Sequence, residues 1–468
     1  MSSQFPLCVI FTSRFSVLTK SNELSARPPS AGAAGCRTNI FLDINEPYTR
    51  RLIQAAFASA QKQCQFTITL GPGVGMSEVV MPLHCDFQWA EYERIDWDAV
   101  LARQHGASSY FIRKGLSRKA QLAHYTHRHV CKYPESILKK CMPQTVILDT
   151  WAVWEEKIEG GGSAAGGLAD IVVSQSHSNG INRKERMEKC LLEARKAMES
   201  AEQQYIDSAE STPSATTAPV WILKGSTVNK GVGIYIIHLY EQLVDICLSE
   251  SDIREWVLQQ YISRPLLLRQ RKFHIRAYVL AVGDLDVYFC NDCLALCSGS
   301  RYRAADTSNL LAHITNTAFQ DQDPSFREDK CVLLWNGDRV RQLLVKNGSC
   351  SSPEHAQARV EQVITDMKDI TTELFRAYSS EFGVFSPLED CFEHFGFDFL
   401  VDEHWQVYLL EVNPGPDFKQ TGSQLQIVIE TLMRSTIDIA MRDFNGAQVG
   451  NLSLVYTKKR NSTTNSTK

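Results

Sequence analysis

The first residues whose types and spacing could do chemistry are three oxygen-bearing side chains near the C-terminal end: Asp398, Glu411 and Asn413. Asp398 stands within Phe395-Gly396-Phe397-Asp398-Phe399-Leu400-Val401. Glu411 and Asn413 stand within Val407-Tyr408-Leu409-Leu410-Glu411-Val412-Asn413. Two apolar runs around the polar connection Asp402-Glu403-His404-Trp405-Gln406 predict a β-hairpin. A buried carboxylate is costly unless it is paired or binds a metal. Side chains alternate along a strand, so Glu411 and Asn413 share a face. With Asp398 they would form a set of oxygen donors of the kind Mg2+ takes. The plainer alternative is two strands whose acids reach water at a sheet edge. Three such residues closed by Pro414-Gly415-Pro416 favour the metal.

A second group carries positive charge. Val220-Trp221-Ile222-Leu223-Lys224 reads as a strand, Gly225 to Gly233 as a glycine-rich loop, and Ile234-Tyr235-Ile236-Ile237 as a second strand. This is a flap and not a Walker A loop, because no Gly-Lys-Ser/Thr opens a helix. Gly231 and Gly233 let backbone amides approach phosphate oxygens, and Lys224 and Lys230 supply charge. A plain glycine-rich hairpin fits equally well. In Trp256–Ile262, the backbone with Gln259 or Gln260 could hydrogen-bond an adenine edge, with Tyr261 and Ile262 beside it; a polar pair in an edge strand is the alternative. Arg271 to Leu280 alternates, so Lys272, His274 and Arg276 fall on one face. That cationic face suits a triphosphate or an anionic reacting centre. Asn316, after His313-Ile314-Thr315, could position a phosphate, a metal-bound water or a substrate group, or make a turn.

The elements that must position these groups divide the chain. Residues 1–38 are rich in Ser, Ala and Pro with Glu23 as the lone acid, a composition that overlaps with a mitochondrial transit peptide and is read here as a plain disordered extension. Residues 39–108 read as a small α/β domain with a helix from about Tyr48 to Gln61. Gly71-Pro72-Gly73-Val74-Gly75 reads as a surface turn. Residues 109–265 form a central lobe with flexible insertions near 160–218, residues 266–445 a C-terminal lobe with the metal site, and residues 446–468 a polar tail. Arg113, Lys114, Arg118 and Lys119 make a dense basic run, either a solvated helix face or a dock for a polyanion. Val287–Cys290 and Cys293–Cys297 predict a hairpin. Helices are expected near Asn182–Ser208, Pro353–Tyr378 and Leu425–Met441.

The whole composition excludes some classes. The net charge of -4 is wrong for a general nucleic-acid binder. No run of about 18 apolar residues predicts a transmembrane helix, so no membrane partner is expected. The 14 cysteines are scattered without a regular framework, and several lie within apolar runs, as in a reduced, cytoplasmic protein.

Taken in order, these motifs resemble the tubulin–tyrosine ligase family. The string is Tyr110-Phe111-Ile112-Arg113-Lys114-Gly115-Leu116, Trp221-Ile222-Leu223-Lys224 with Lys230-Gly231-Val232-Gly233-Ile234, Gln259-Gln260-Tyr261-Ile262, Arg271-Lys272-Phe273-His274-Ile275-Arg276, His313-Ile314-Thr315-Asn316, Phe395-Gly396-Phe397-Asp398 and Glu411-Val412-Asn413. The resemblance implies an α+β ATP-grasp fold, two lobes clasping ATP and Mg2+, behind the small N-terminal domain. It implies a two-step ligation, in which a peptide carboxylate becomes an acyl phosphate and an amine then forms an amide. Lys224, Lys230, Gly231 and Gly233 would hold phosphates, Gln259 to Ile262 adenine, and His274 the nucleotide side of the cleft. Lys272, Arg276 and Asn316 would act on the reacting groups, and Asp398, Glu411 and Asn413 would hold Mg2+. The expected substrates are the acidic C-terminal tail of tubulin and a free amino acid, tyrosine. The alternatives are a ligase for another peptide or small carboxylate, and an ATP-binding scaffold with little catalysis. The chain departs from the family pattern at His274, where Asp is usual. It also departs in Cys293–Cys297, where an Arg is usual and Arg301 or Arg303 would have to substitute. The ending Asn413-Pro414-Gly415-Pro416-Asp417-Phe418-Lys419 differs as well.

Overall fold

A computed structural model describes residues 37–60, 65–71, 84–149, 183–211, 219–228, 233–250, 252–323, 326, 331–419, 423–442 and 447–458. The expected disordered extension falls almost wholly outside these residues, as do most of the 71–75 turn and the insertion before residue 183. The same is true of Lys230 and Gly231.

The N-terminal unit is a parallel sheet of β1 (Arg37–Asp43), β2 (Gln65–Leu70), β3 (Phe87–Ala90) and β4 (Gly106–Ala107), in the order β2-β1-β3-β4. The helix Pro47–Ala60 crosses from β1 to β2 and buries Leu52, Ile53, Ala56 and Phe57. This core does not stop at the unit's edge. Phe57 packs edge-on against Trp89, and Phe87 and Trp89 both meet Phe392 of the C-terminal lobe. The helix Ser423–Arg442 adds Ile429, Leu432 and Met433 to the same cluster.

The central lobe is an antiparallel sheet of β5 (Thr145–Asp149), β6 (Trp221–Gly225), β7 (Ile234–Ile237) and β8 (Glu255–Gln260), in the order β5-β8-β6-β7. The helices Arg183–Ser211 and Tyr240–Ser249 cover it. Met187, Ala194 and Met198 of the first pack with Trp221, Trp256 and Leu258. The helix expected at Asn182–Ser208 is therefore part of this lobe's core.

The C-terminal lobe is built on one long strand. Its strands are β9 (Leu267–Leu268), β10 (Arg271–Val282), β11 (Asp286–Cys290), β12 (Leu294–Cys297), β13 (Val332–Leu334), β14 (Phe392–Val401), β15 (Val407–Pro414), β16 (Gln448–Val449) and β17 (Leu452–Thr457). β14 lies along one edge of β10. On the other edge, β12 pairs with Phe273–Arg276 and β11 with Val279–Val282. The expected hairpin of Val287–Cys290 with Cys293–Cys297 is thus corrected: the two strands lie end to end. β10 is long enough to pair with both. The junction is held by Asp292, which accepts from the side-chain amides of Asn336 and Asn451. The polar tail is corrected too, because β16 and β17 extend the sheet beyond β11 and Leu452 is buried. The helix Pro353–Tyr378 lies under the sheet, burying Val360, Val363, Met367, Ile370, Leu374 and Phe375.

Candidate active site

The hairpin of β14 and β15 forms as the two apolar runs predict, and its register builds the site. Arg276 stands opposite Asp398, and Asp398 opposite Glu411, so three charged side chains form one row across three strands. A bulge follows immediately, since Phe399 pairs with Leu409 and leaves Leu410 unmatched. Such bulges re-aim side chains where a sheet carries a site. Asn413 lies opposite Gly396. A Cβ at 396 would come within 3.2 Å of Arg276 Cδ and 3.0 Å of Pro416 Cβ, so glycine leaves the guanidinium its path along the sheet.

The row is neutralised by hydrogen-bonded partners. Arg276 donates Nε to Asp398 Oδ1, and Nη2 to Asp398 Oδ2 at 3.0 Å. Asn413 Nδ2 lies 3.2 Å from Asp398 Oδ2 and 3.3 Å from Glu411 Oε1. Lys119 Nζ lies 3.3 Å from Glu411 Oε2 and also donates to the Val228 carbonyl at 2.9 Å. Burial acts to raise the Glu411 carboxyl, but Lys119 and then Lys224, with the Asn413 hydrogen bond, hold it down at about 2.

Lys224, on β6 of the central lobe, faces this row across the cleft, while Lys272 stands on β10 on the same face as Arg276. Lys224 Nζ donates to Gln259 Oε1 at 2.9 Å, and Gln259 Nε2 donates to Thr145 Oγ1 at 3.2 Å. The Gln259 amide is thereby committed to clamping Lys224, leaving the Gln260–Ile262 segment as the cleft wall beside it. Burial lowers Lys224 to about 8, Glu411 opposing the fall. Burial and the nearby Lys224 charge lower Lys272 to about 7.

Lys272 ends a directional chain. His313 Nε2 contacts the Asp306 carbonyl at 2.8 Å, and a carbonyl only accepts, so Nε2 carries the hydrogen. Nδ1 must then accept from the Tyr261 hydroxyl at 2.7 Å, and Tyr261 accepts from Lys272 Nζ at 2.8 Å. His274 is fixed from the same loop, its Nδ1 lying 2.6 Å from Thr315 Oγ1. Burial lowers the proton affinity of both imidazoles. Asn316 lines the cleft, but its Oδ1 caps the short helix Thr317–Gln320 by accepting from the Ala318 amide. The turn reading of that residue is the one its hydrogen bond supports.

Gly233 closes the flap: its φ is +64°, and a Cβ there would lie 3.0 Å from Ile253 Cδ1. Neither Arg301 nor Arg303 takes the place of the family's strand arginine. Both are exposed and outside the cleft wall, while Leu296 stands opposite His274.

The basic run 113–119 splits. Arg113 and Lys119 turn inward to Glu393 and Glu411, while Lys114 and Arg118 stay exposed. Lys119, Thr145, His313 and Thr315 are the residues that reasoning from sequence left out of the site. For Lys119 the signal was the basic run itself; for His313 and Thr315 it was their place beside Asn316.

Asp398 and Glu411 offer hard oxygens to a divalent cation, and an amide rotation would turn the Asn413 oxygen toward them. Among the described residues no three His, Cys, Asp or Glu side chains already converge as a cage. Arg276, Lys119 and the Asn413 amide instead supply the neutralising hydrogens. The donor chemistry fits a hard divalent ion.

Fold and site together define an ATP-grasp protein, with Lys224 on one lobe facing a carboxylate row and Lys272 on the other. The sequence profile of the tubulin–tyrosine ligase family matches residues 168–447. A probable tubulin–tyrosine ligase of Schizosaccharomyces pombe is 30% identical over 438 residues, covering 86% of this chain and 92% of that protein. The probable tubulin–tyrosine ligase PBY1 of Saccharomyces cerevisiae is 27% identical over 396 residues, covering 75% of this chain and 45% of that protein. The crystal structure of the C-terminal domain of Pby1 from K. lactis superposes with a TM-score of 0.59 at 27% identity, covering 90% of this chain and all of that one. It is described as an ATP-grasp enzyme interacting with the mRNA decapping enzyme Dcp2. The chain belongs to the tubulin–tyrosine ligase family.

Proposed function

We propose that the protein is an ATP- and Mg2+-dependent carboxylate–amine ligase that joins an amino acid, tyrosine first among the candidates, to the C-terminal tail of tubulin. The observation that carries this reading is the meeting in one cleft of Lys224 from the central lobe with Lys272 and the Arg276–Asp398–Glu411 row of the C-terminal lobe. A carboxylate becomes an acyl donor only after phosphorylation, and phosphoryl transfer rests on positioning and charge neutralisation. Asp398, Glu411 and Asn413 would hold Mg2+, which neutralises phosphate charge when bound. Lys224 and Lys272 would bind the triphosphate, with Gln259 keeping Lys224 in place and the Tyr261–His313 chain keeping Lys272 in place. Arg276 would orient the reacting carboxylate or phosphate from its seat on Asp398. Family membership and relatives named probable tubulin–tyrosine ligases support the substrate.

The direct test incubates the full chain with detyrosinated tubulin, ATP, Mg2+ and labelled tyrosine. Incorporation that vanishes in Glu411→Gln is expected. A wild-type protein that hydrolyses ATP yet leaves tubulin unlabelled would refute the tubulin assignment.

A second reading keeps the chemistry and changes the acceptor to another peptide or a small carboxylate. His274 and Leu296 favour it, because they alter the cleft where the family usually carries Asp and Arg. The description of Pby1 as a partner of Dcp2 supports the same alternative. ADP release stimulated by a non-tubulin carboxylate is its signature.

A further inference from the structure

His238 stands just beyond β7 on the central lobe, and Thr307 stands between β12 and the short helix Leu310–His313 on the C-terminal lobe. His238 Nε2 and Thr307 Oγ1 lie 2.9 Å apart, so one exposed side-chain hydrogen bond joins the two lobes there. Each partner is held by its own surroundings. The His238 amide donates to Gln242 Oε1 at 2.9 Å, at the start of the helix Tyr240–Ser249. The segment that carries Thr307 is pinned behind it by Tyr302. The Tyr302 amide donates to the Gln270 carbonyl at 2.9 Å, and its hydroxyl donates to the Ser263 carbonyl at 2.7 Å.

Thr307 follows Asp306, whose carbonyl accepts the Nε2 hydrogen of His313 at 2.8 Å. That carbonyl and the Thr307 amide belong to one rigid peptide plane, so a shift of Thr307 turns the acceptor of His313 with it. His313 passes the constraint to the Tyr261 hydroxyl, and Tyr261 passes it to Lys272. The path starts on the central lobe, crosses to the C-terminal lobe and ends on a buried lysine of the cleft. We propose that His238 is a positioning residue: its contact with Thr307 forms as the lobes close and, through Asp306, His313 and Tyr261, sets Lys272 for the triphosphate. Closure that completes a site in this way commits the cleft to bound nucleotide. The inference rests on the ligase reading, in which Lys272 binds ATP.

The test titrates the full chain with a non-hydrolysable ATP analogue and Mg2+ in a calorimeter. His238→Ala should weaken binding about fivefold, the weight of one net hydrogen bond. Thr307→Val cuts the same contact from the other side and should match it. His238→Gln puts an amide nitrogen near the lost Nε2 and should restore binding. His238→Ala combined with His313→Asn should bind no more weakly than His313→Asn alone, because both changes cut one path. Hydrogen exchange at the amides of 303–313 should slow when the analogue binds the wild type, and slow much less in His238→Ala. Wild-type affinity in His238→Ala, or losses that multiply in the double variant, overturns this inference and leaves the ligase reading standing. Absence of analogue binding by the wild type overturns both.

Discussion

Lys119 Nζ meets Glu411 Oε2 at 3.3 Å, and the same ammonium holds the Val228 carbonyl of the flap at 2.9 Å. One lysine therefore ties β15 at the floor of the cleft to Val228, just beyond β6. The backbone supports the arrangement, since the Lys119 amide donates to the Ser226 carbonyl and the Ala120 amide to Ser226 Oγ. A helix remote in sequence from both elements sets their spacing.

Lys119→Met should loosen the flap and leave Glu411 with one cation fewer. The pair is partly buried, so its loss should cost about 2 kcal/mol, between the surface and buried limits. Urea unfolding gives the stability change. Hydrogen exchange should show faster exchange at the Ser226 and Ala120 amides, with β17 unaffected. Unchanged exchange at the flap would show that Lys119 does not restrain it.

Arg113 and Glu393 form a second inward pair, joining the segment after β4 to the start of β14. Glu393 also accepts from the Tyr110 amide at 3.1 Å. Burial raises its carboxyl, and Arg113 works against that rise. Arg113→Met strands a buried carboxylate and should destabilise by about 3–5 kcal/mol. The double change with Glu393→Gln should recover a large part of that loss. A double-mutant cycle with no coupling would mean that the pair is not closed in solution.

Lys272 and Lys224 sit at about 7 and about 8 in the folded protein because they are buried. An exposed lysine titrates near 10.4, so the unfolded chain holds more protons than the folded one from about pH 7 to about pH 10. These groups therefore make folding more favourable as pH rises through that window, at most about 1.4 kcal/mol per proton per pH unit. The sign is opposite to that of a lysine gaining an ion pair. Unfolding midpoints of wild type against Lys272→Met from pH 7 to 9 should converge or cross in that direction. Binding of a triphosphate at pH 8 should take up protons, visible by calorimetry in buffers of different ionisation enthalpy.

Tyr261→Phe keeps the ring beside Lys272 and removes the hydroxyl that links it to His313. Lys272 loses an acceptor and His313 Nδ1 a donor, at a cost of about 1–3 kcal/mol. ATP KM should rise about tenfold, the kinetic weight of about 1.4 kcal/mol, while kcat falls less. His313→Asn should shift ATP KM in the same direction without touching the Lys272 ring contact. An equal fall in kcat and kcat/KM would instead assign the chain to the chemical step.

Much of the fold was legible because it follows local patterns. Alternation marked β10 and put Lys272, His274 and Arg276 on one face, two apolar runs around a polar connection marked β14 and β15, and helices were expected over Pro353–Tyr378 and Leu425–Met441. Pairing was less legible. β11 and β12 read as a hairpin because two apolar runs lie close together, yet β10 offers both a longer edge. β17 read as tail because its partner β11 lies far away in the chain.

For the site, the amino-acid sequence by itself determined which charges exist and which of them share a strand face, since a two-residue period needs no tertiary contact. It could not determine who neutralises whom. Arg276 meets Asp398 only through the β10–β14 register, Lys119 meets Glu411 only through the packing of the helix Lys119–Lys132, and His313 reaches Lys272 only through Tyr261. Charge pairing at about 3 Å depends on side chains brought together from distant segments, and a buried charge must find its partner there or titrate. That is why the tertiary structure decided the roles of Lys119, Gln259 and His274, and why their types and spacing alone did not.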